Sequence, residues 1–158
     1  MLHVDPDGVR NRRRNTIKRR VYESKGPVGI YHIDGNDKLK KWGICIHGGI
    51  DGFSRKLLWL KAATTNNNPI VIANYFLQSI KTNGFTPNIL RMDKGTEKVY
   101  CENIQVFLTN NQESFIYSKS THNQRIEAFW SRLKKFRLSW WIHLFKKMEK
   151  DKVYKSHL

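Results

Sequence analysis

Three short apolar runs follow one another between residues 30 and 64: "IYHID" (30–34), "KWGICIHGGI" (41–50) and "KLLWLKAAT" (56–64). Gly-Asn-Asp (35–37) and Asp-Gly (51–52) stand between them as turn signals. Runs this short, bounded by Gly, Asn and Asp, suit strands and leave no room for helices. Strands joined by short connections pair antiparallel, so the chain is expected to start as a three-stranded meander. The period then changes. Asn68 can cap a helix with Pro69 in its first position. Ile70, Ala73, Phe76, Leu77 and Ile80 keep helical spacing, and Gly84 is a stop signal. "NILRMD" (88–93) reads as a fourth strand, "EKVYCENIQVFLTN" (97–110) as a helix and "SFIYS" (114–118) as a fifth strand. A last long helix begins near His122 and runs through "RIEAFWSRLKKF" (125–136). The order β-β-β-α-β-α-β-α predicts an α/β domain. Its mixed five-stranded sheet has three antiparallel strands followed by strand–helix units, flanked by helices.

The charge limits the partners. Lys and Arg number 29 and Asp and Glu 13, a formal charge of 29 − 13 = +16 over 158 residues. Such an excess calls for a polyanion, either nucleic acid or an acidic membrane surface. No apolar run nears the roughly 20 residues of a membrane span, and the N-terminus has no apolar signal region. Cys45 and Cys101 fit a reducing compartment and have no zinc-site spacing. A nuclear or cytoplasmic, non-secreted protein is expected. Seven positive charges fall in "RNRRRNTIKRR" (10–20) against one apolar residue, Ile17. Residues 1–26 are therefore expected to form a flexible basic arm. Arg12, Arg13, Arg14, Arg19 and Arg20 would contact DNA phosphates or serve nuclear import. "GPVG" (26–29) opens the core, 27–140. Residues 141–158 form an aromatic, then charged tail with no assignable element, where the domain is expected to be truncated.

With few acids, each position can be weighed. Asp34 and Asp93 end two apolar strands, where ligands gather in α/β sheets, although Asp at a strand end also simply opens a turn. On the last helix, Ile126, Phe129, Trp130, Leu133 and Phe136 form an apolar stripe. Asn123, Glu127, Ser131 and Lys134 lie along one edge of it. Glu127 is thus a candidate third carboxylate, as well as a favourable charge near a helix N-terminus. Three converging carboxylates call for a cation, and hard oxygen ligands without His or Cys suit Mg²⁺ or Mn²⁺. Two such ions about 4 Å apart clamp a phosphodiester for in-line attack.

The segments "YHIDGNDKL", "GICIHGGIDGFSRKLLWL", "RMDKGTE" and "HNQRIEAFW" resemble the catalytic core of retroviral-type integrases and transposases. The likeness is greatest to the integrase cores encoded by animal transposons. The basic "DPDGVRNRRRNTIKRRVY" before them is similar to the lead-in of that group. The resemblance implies a ribonuclease H-like fold and a DDE triad on Asp34, Asp93 and Glu127, separated by 127 − 93 = 34 at its last step. It implies two metal ions, one shared by Asp34 and Asp93 and the other by Asp34 and Glu127. It also implies DNA as substrate, cleavage and strand transfer as the reaction, and a homo-oligomer. Asp51, the competing first acid, falls in the family's turn after the second strand and is expected to be structural. The zinc-binding domain that precedes many integrase cores has no counterpart here, nor has a DNA-binding β-domain after the core. The second reading is therefore a catalytically inactive, domesticated DNA-binding module.

Other residues have two readings each. Asn123 would position substrate or a metal-bound water, or cap the helix. Lys94 and Lys134 would grip phosphates, or be solvated charges. His122 would touch DNA or open the helix, and Gly95 would let the chain turn after Asp93. Trp130, Trp140 and Trp141 are expected in the core or an interface. His32 and His47 are expected on a sheet face or edge and not as ligands.

Overall fold

The structure, a computed structural model, describes residues 22, 24–93, 99–118 and 123–153. The five arginines of the basic run, Lys94, Gly95 and His122 lie outside the described residues. Five strands form one sheet: β1 (Ile30–Asn36), β2 (Cys45–Asp51), β3 (Leu57–Ala63), β4 (Ile89–Asp93) and β5 (Phe115–Ser118). Their spatial order is β3-β2-β1-β4-β5. β1 and β3 pair antiparallel with β2, while β1 with β4 and β4 with β5 are parallel. The meander followed by parallel strands matches the expectation. One strand starts late: Lys40–Trp42 form a 3₁₀ turn closed by Gly43, so β2 begins at Cys45.

Helices α1 (Pro69–Asn83) and α2 (Val99–Thr109) cover one face of the sheet. The Asn68 side chain accepts hydrogen bonds from the Ile70 and Val71 backbone N–H groups, satisfying two donors that a helix start leaves orphaned. The buried stripe of α1 differs from the spacing expected. Ile72, Ala73 and Phe76 are buried, whereas Ile70 and Leu77 are exposed. α1 is apolar on more than one side, and packing on Tyr31, Ile33, Leu90 and Met92 selects the stripe through Ile72 and Phe76. Full burial of each such side chain contributes about 2 kcal/mol.

Helix α3 (Gln124–Leu133), a π-helical turn (Lys134–Leu138) and α4 (Ser139–Lys150) run on from one another over the opposite face. Ile126 and Trp130 are buried as the stripe requires, but Phe136 is 67% exposed and Leu138 is buried instead. The π turn inserts an extra residue into the helical repeat and rotates the positions after it. The tail that carries no assignable element in the sequence is therefore helical. α4 sets Phe145 against Trp42, with ring centroids 5.3 Å apart. Glu149 accepts hydrogen bonds from the Trp42 indole (3.0 Å) and the Lys41 ammonium (2.9 Å). Trp140 and Trp141 face outward. Among the described residues no helix is long and apolar enough to cross a membrane.

Candidate functional site

β1 lies at the centre of the sheet, and its side chains alternate between the two faces. Tyr31 and Ile33 enter the core beneath α1 and α2, which leaves His32 and Asp34 on the α3 face. Asp34 is 9% exposed, and its Oδ2 accepts a hydrogen bond from the Trp130 indole N–H at 3.0 Å. On the antiparallel side its register partner is Gly48. On the parallel side the ladder pairs Ile30 with Ile89, Tyr31 with Leu90 and His32 with Arg91. Continued by two residues, that register would set Asp34 level with Asp93, the last residue of β4, on a strand roughly 5 Å away.

Glu127 sits in the first turn of α3, its backbone N–H bonded to the Asn123 carbonyl at 3.2 Å. It is half-buried. Asp34 and Glu127 line one open cleft of about 380 Å³, together with Gly35, Asn36, Asp37, Lys38, Trp130, Ser131 and Lys134. Two elements distant in sequence thus bring two of the three predicted acids, and Lys134, to one place. Asp93 is not part of the cleft lining. Among the described residues no three of His, Cys, Asp and Glu stand close enough to hold a metal ion. In chemistry the donor set suits a hard divalent cation, since the acids lining the cleft offer oxygen and no soft ligand joins them.

Asn123 differs from the cap expectation. Its side chain makes no cap bond to the helix and is 1% exposed. The amide instead bonds inward. Its Nδ2 donates to the Ile33 carbonyl at 3.0 Å, and its Oδ1 lies 2.6 Å from His32 Nδ1. His32 Nε2 in turn lies 2.9 Å from the Tyr22 hydroxyl, and the Arg125 guanidinium is 4.0 Å from the centre of the Tyr22 ring. Oδ1 can only accept, so His32 carries its proton on Nδ1 and Tyr22 donates to Nε2. Burial is the main cause that lowers the His32 pKa to about 4. Arg91 and Arg125 add to the lowering, while the bond to Asn123 and the charge of Asp51 oppose it. The neutral imidazole therefore ties the start of α3 to β1, two residues before Asp34.

Asp51 bonds to two backbone segments. Its carboxylate accepts from the Val28 N–H, the Ser54 N–H and the Ser54 hydroxyl, closing the turn between β2 and β3. The two histidines behave as expected: both are buried on sheet faces, and His47 Nδ1 accepts from the Trp59 indole at 3.1 Å. What sequence reasoning missed is the indole bond to Asp34 and the contact between His32 and Asn123. Each joins residues more than ninety positions apart, and no local pattern encodes it.

The chain matches the model of the integrase core domain family over residues 21–157, and it belongs to that family. The mixed five-stranded sheet with flanking helices is that family's ribonuclease H-like fold. No curated protein matches the chain.

Proposed function

We propose that the chain is an integrase- or transposase-type core that binds DNA and carries out metal-dependent phosphodiester cleavage and strand transfer. The observation that carries this reading is the shared cleft. Asp34 and Glu127 line it together with the basic residues Lys38 and Lys134, on a chain of the integrase core family. Asp34, Asp93 and Glu127 would hold Mg²⁺ or Mn²⁺. When bound, such ions activate the attacking oxygen and stabilise the leaving oxygen of a phosphodiester. The chain's own part is positioning. β1 and α3 fix two carboxylates relative to each other, and Lys38 and Lys134 favour a phosphate entering the cleft. Lys94 and the basic run with Arg12, Arg13, Arg14, Arg19 and Arg20 would extend the DNA contact and suit a nuclear protein of transposable-element origin. A homo-oligomer fits the same reading.

Glu127→Gln keeps the side chain's size and removes a ligand. In a DNA nicking and strand-transfer assay with Mn²⁺ it should lower activity at least a hundredfold, and undiminished activity would sink the mechanism. One observation favours a second reading, an inactive DNA-binding module: no ready three-acid ligand set exists among the described residues. That reading requires DNA binding that ignores both divalent ions and all three acids.

A further inference from the structure

We propose that Gly48 and Trp130 together form a positioning device for the Asp34 carboxylate. The inference rests on reading Asp34 as a metal ligand. Residues directly opposite on an antiparallel ladder project from the same face, and the partner of Asp34 is Gly48. The missing side chain leaves a slot beside the aspartate. The six-membered ring of Trp130 fills it: a Cβ at residue 48 would lie 2.9 Å from Trp130 Cη2 and 3.3 Å from Cζ2. That edge of the indole adjoins the ring nitrogen, so seating it over Gly48 brings Nε1 to Asp34 Oδ2 at 3.0 Å.

Trp130 is 5% exposed, and a buried indole N–H needs an acceptor. Here the acceptor is the Asp34 carboxylate. Trp130 also lies one helical turn beyond Glu127 on α3. One helix therefore carries Glu127 to the cleft and, through the indole, fixes the orientation of the carboxylate on β1. Trp130 acts through Asp34, which makes it a positioning residue. Groups that orient a metal ligand in this way typically change metal affinity 10–100-fold when removed.

The test uses the full chain as wild type and as Trp130→Phe, Gly48→Ala and Asp34→Ala. The metal-free proteins are first compared by ¹H–¹⁵N spectroscopy. The Trp130 indole N–H, identified as the signal lost in Trp130→Phe, should shift and exchange at least tenfold faster in Asp34→Ala and in Gly48→Ala. Mn²⁺ is then titrated by electron paramagnetic resonance. Trp130→Phe, folded by circular dichroism, should bind Mn²⁺ about tenfold more weakly than wild type. Gly48→Ala should show the same direction with all native donors present. An indole signal indifferent to Asp34→Ala overturns the proposal, as does wild-type Mn²⁺ affinity in folded Trp130→Phe. If wild type and Asp34→Ala bind Mn²⁺ equally, the metal reading of Asp34 fails. The indole signal still decides separately whether Trp130 holds that carboxylate.

Discussion

Gly48 and Gly49 are neighbours on β2, and each leaves room for a tryptophan ring on an opposite face of the sheet. At Gly49 the ring is Trp59, from the adjacent strand. A Cβ there would overlap it, and its N–H goes to His47, the side chain one step along. At Gly48 the ring is Trp130, from a helix, and its N–H goes to Asp34. The packing solution is the same in both places. The acceptor differs: an imidazole stacked on its own tryptophan under α1, a carboxylate lining an open cleft under α3. The first contact joins two side chains buried in the core. The second, at the cleft edge, holds a group that other molecules can reach.

The comparison is open to attack at four points. Trp59→Ala should be the most damaging to the fold, costing about 4 kcal/mol in urea unfolding, because it removes a large buried ring from the core under α1. A loss below about 1 kcal/mol would mean that face is not the main source of stability. Acid comes next, and it acts on the cleft face. The unfolded chain binds a proton at His32 near pH 6.5 and the folded chain only near 4. Stability is therefore full above pH 6.5, falls by about 3 kcal/mol as the pH drops to 4, and is flat for this group below that. The charged form would meet Arg91 and Arg125, with the charge of Asp51 opposing them. His32→Gln should flatten the limb between pH 6.5 and 4, and an unchanged limb would remove His32 as its source.

The glycines give the smaller and sharper contrast. Gly49→Ala, which forces overlap with a rigid ring, should cost about 2 kcal/mol. Gly48→Ala should cost about 1 kcal/mol, since its nearest contact is wider and Trp130 rides on a helix able to shift. Paired unfolding curves read the difference, and reversed ranks would show that the cleft-side slot is the stiffer one. Asp51→Asn should be mildest for chemistry, leaving DNA nicking within about twofold of wild type while lowering stability by about 1 kcal/mol. A hundredfold loss of nicking would return Asp51 to the active acids.

The element order was legible because each run has its own period and punctuation: Asn68 with Pro69, Gly84, and the Gly-Asn-Asp and Asp-Gly turns. That order, with the stripe on α3, was enough to send Asp34 and Glu127 to one cleft. Two local misreadings have physical causes. Phe136 looked buried because a straight helix was assumed, and the π turn re-phases it. Ile70 looked buried because the apolar residues of α1 outnumber the places the sheet offers. Asn123 and the Gly48–Trp130 contact were illegible for another reason. A short polar residue before a helix reads as a cap, and a glycine in a strand reads as a weak point. Only the register between distant segments gives either its partner.

Glu149 does not line the cleft, yet it grips the 3₁₀ turn at Lys41 and Trp42, which follows the cleft residues Gly35–Lys38 within a few positions. The last helix is therefore a brace for the rim. Anyone choosing where to cut this chain for expression would do well to keep residue 149. A cut at 140, where the hydropathy pattern fades, keeps Asp34, Asp37 and Glu127 but strips the support from the turn at Lys41 and Trp42.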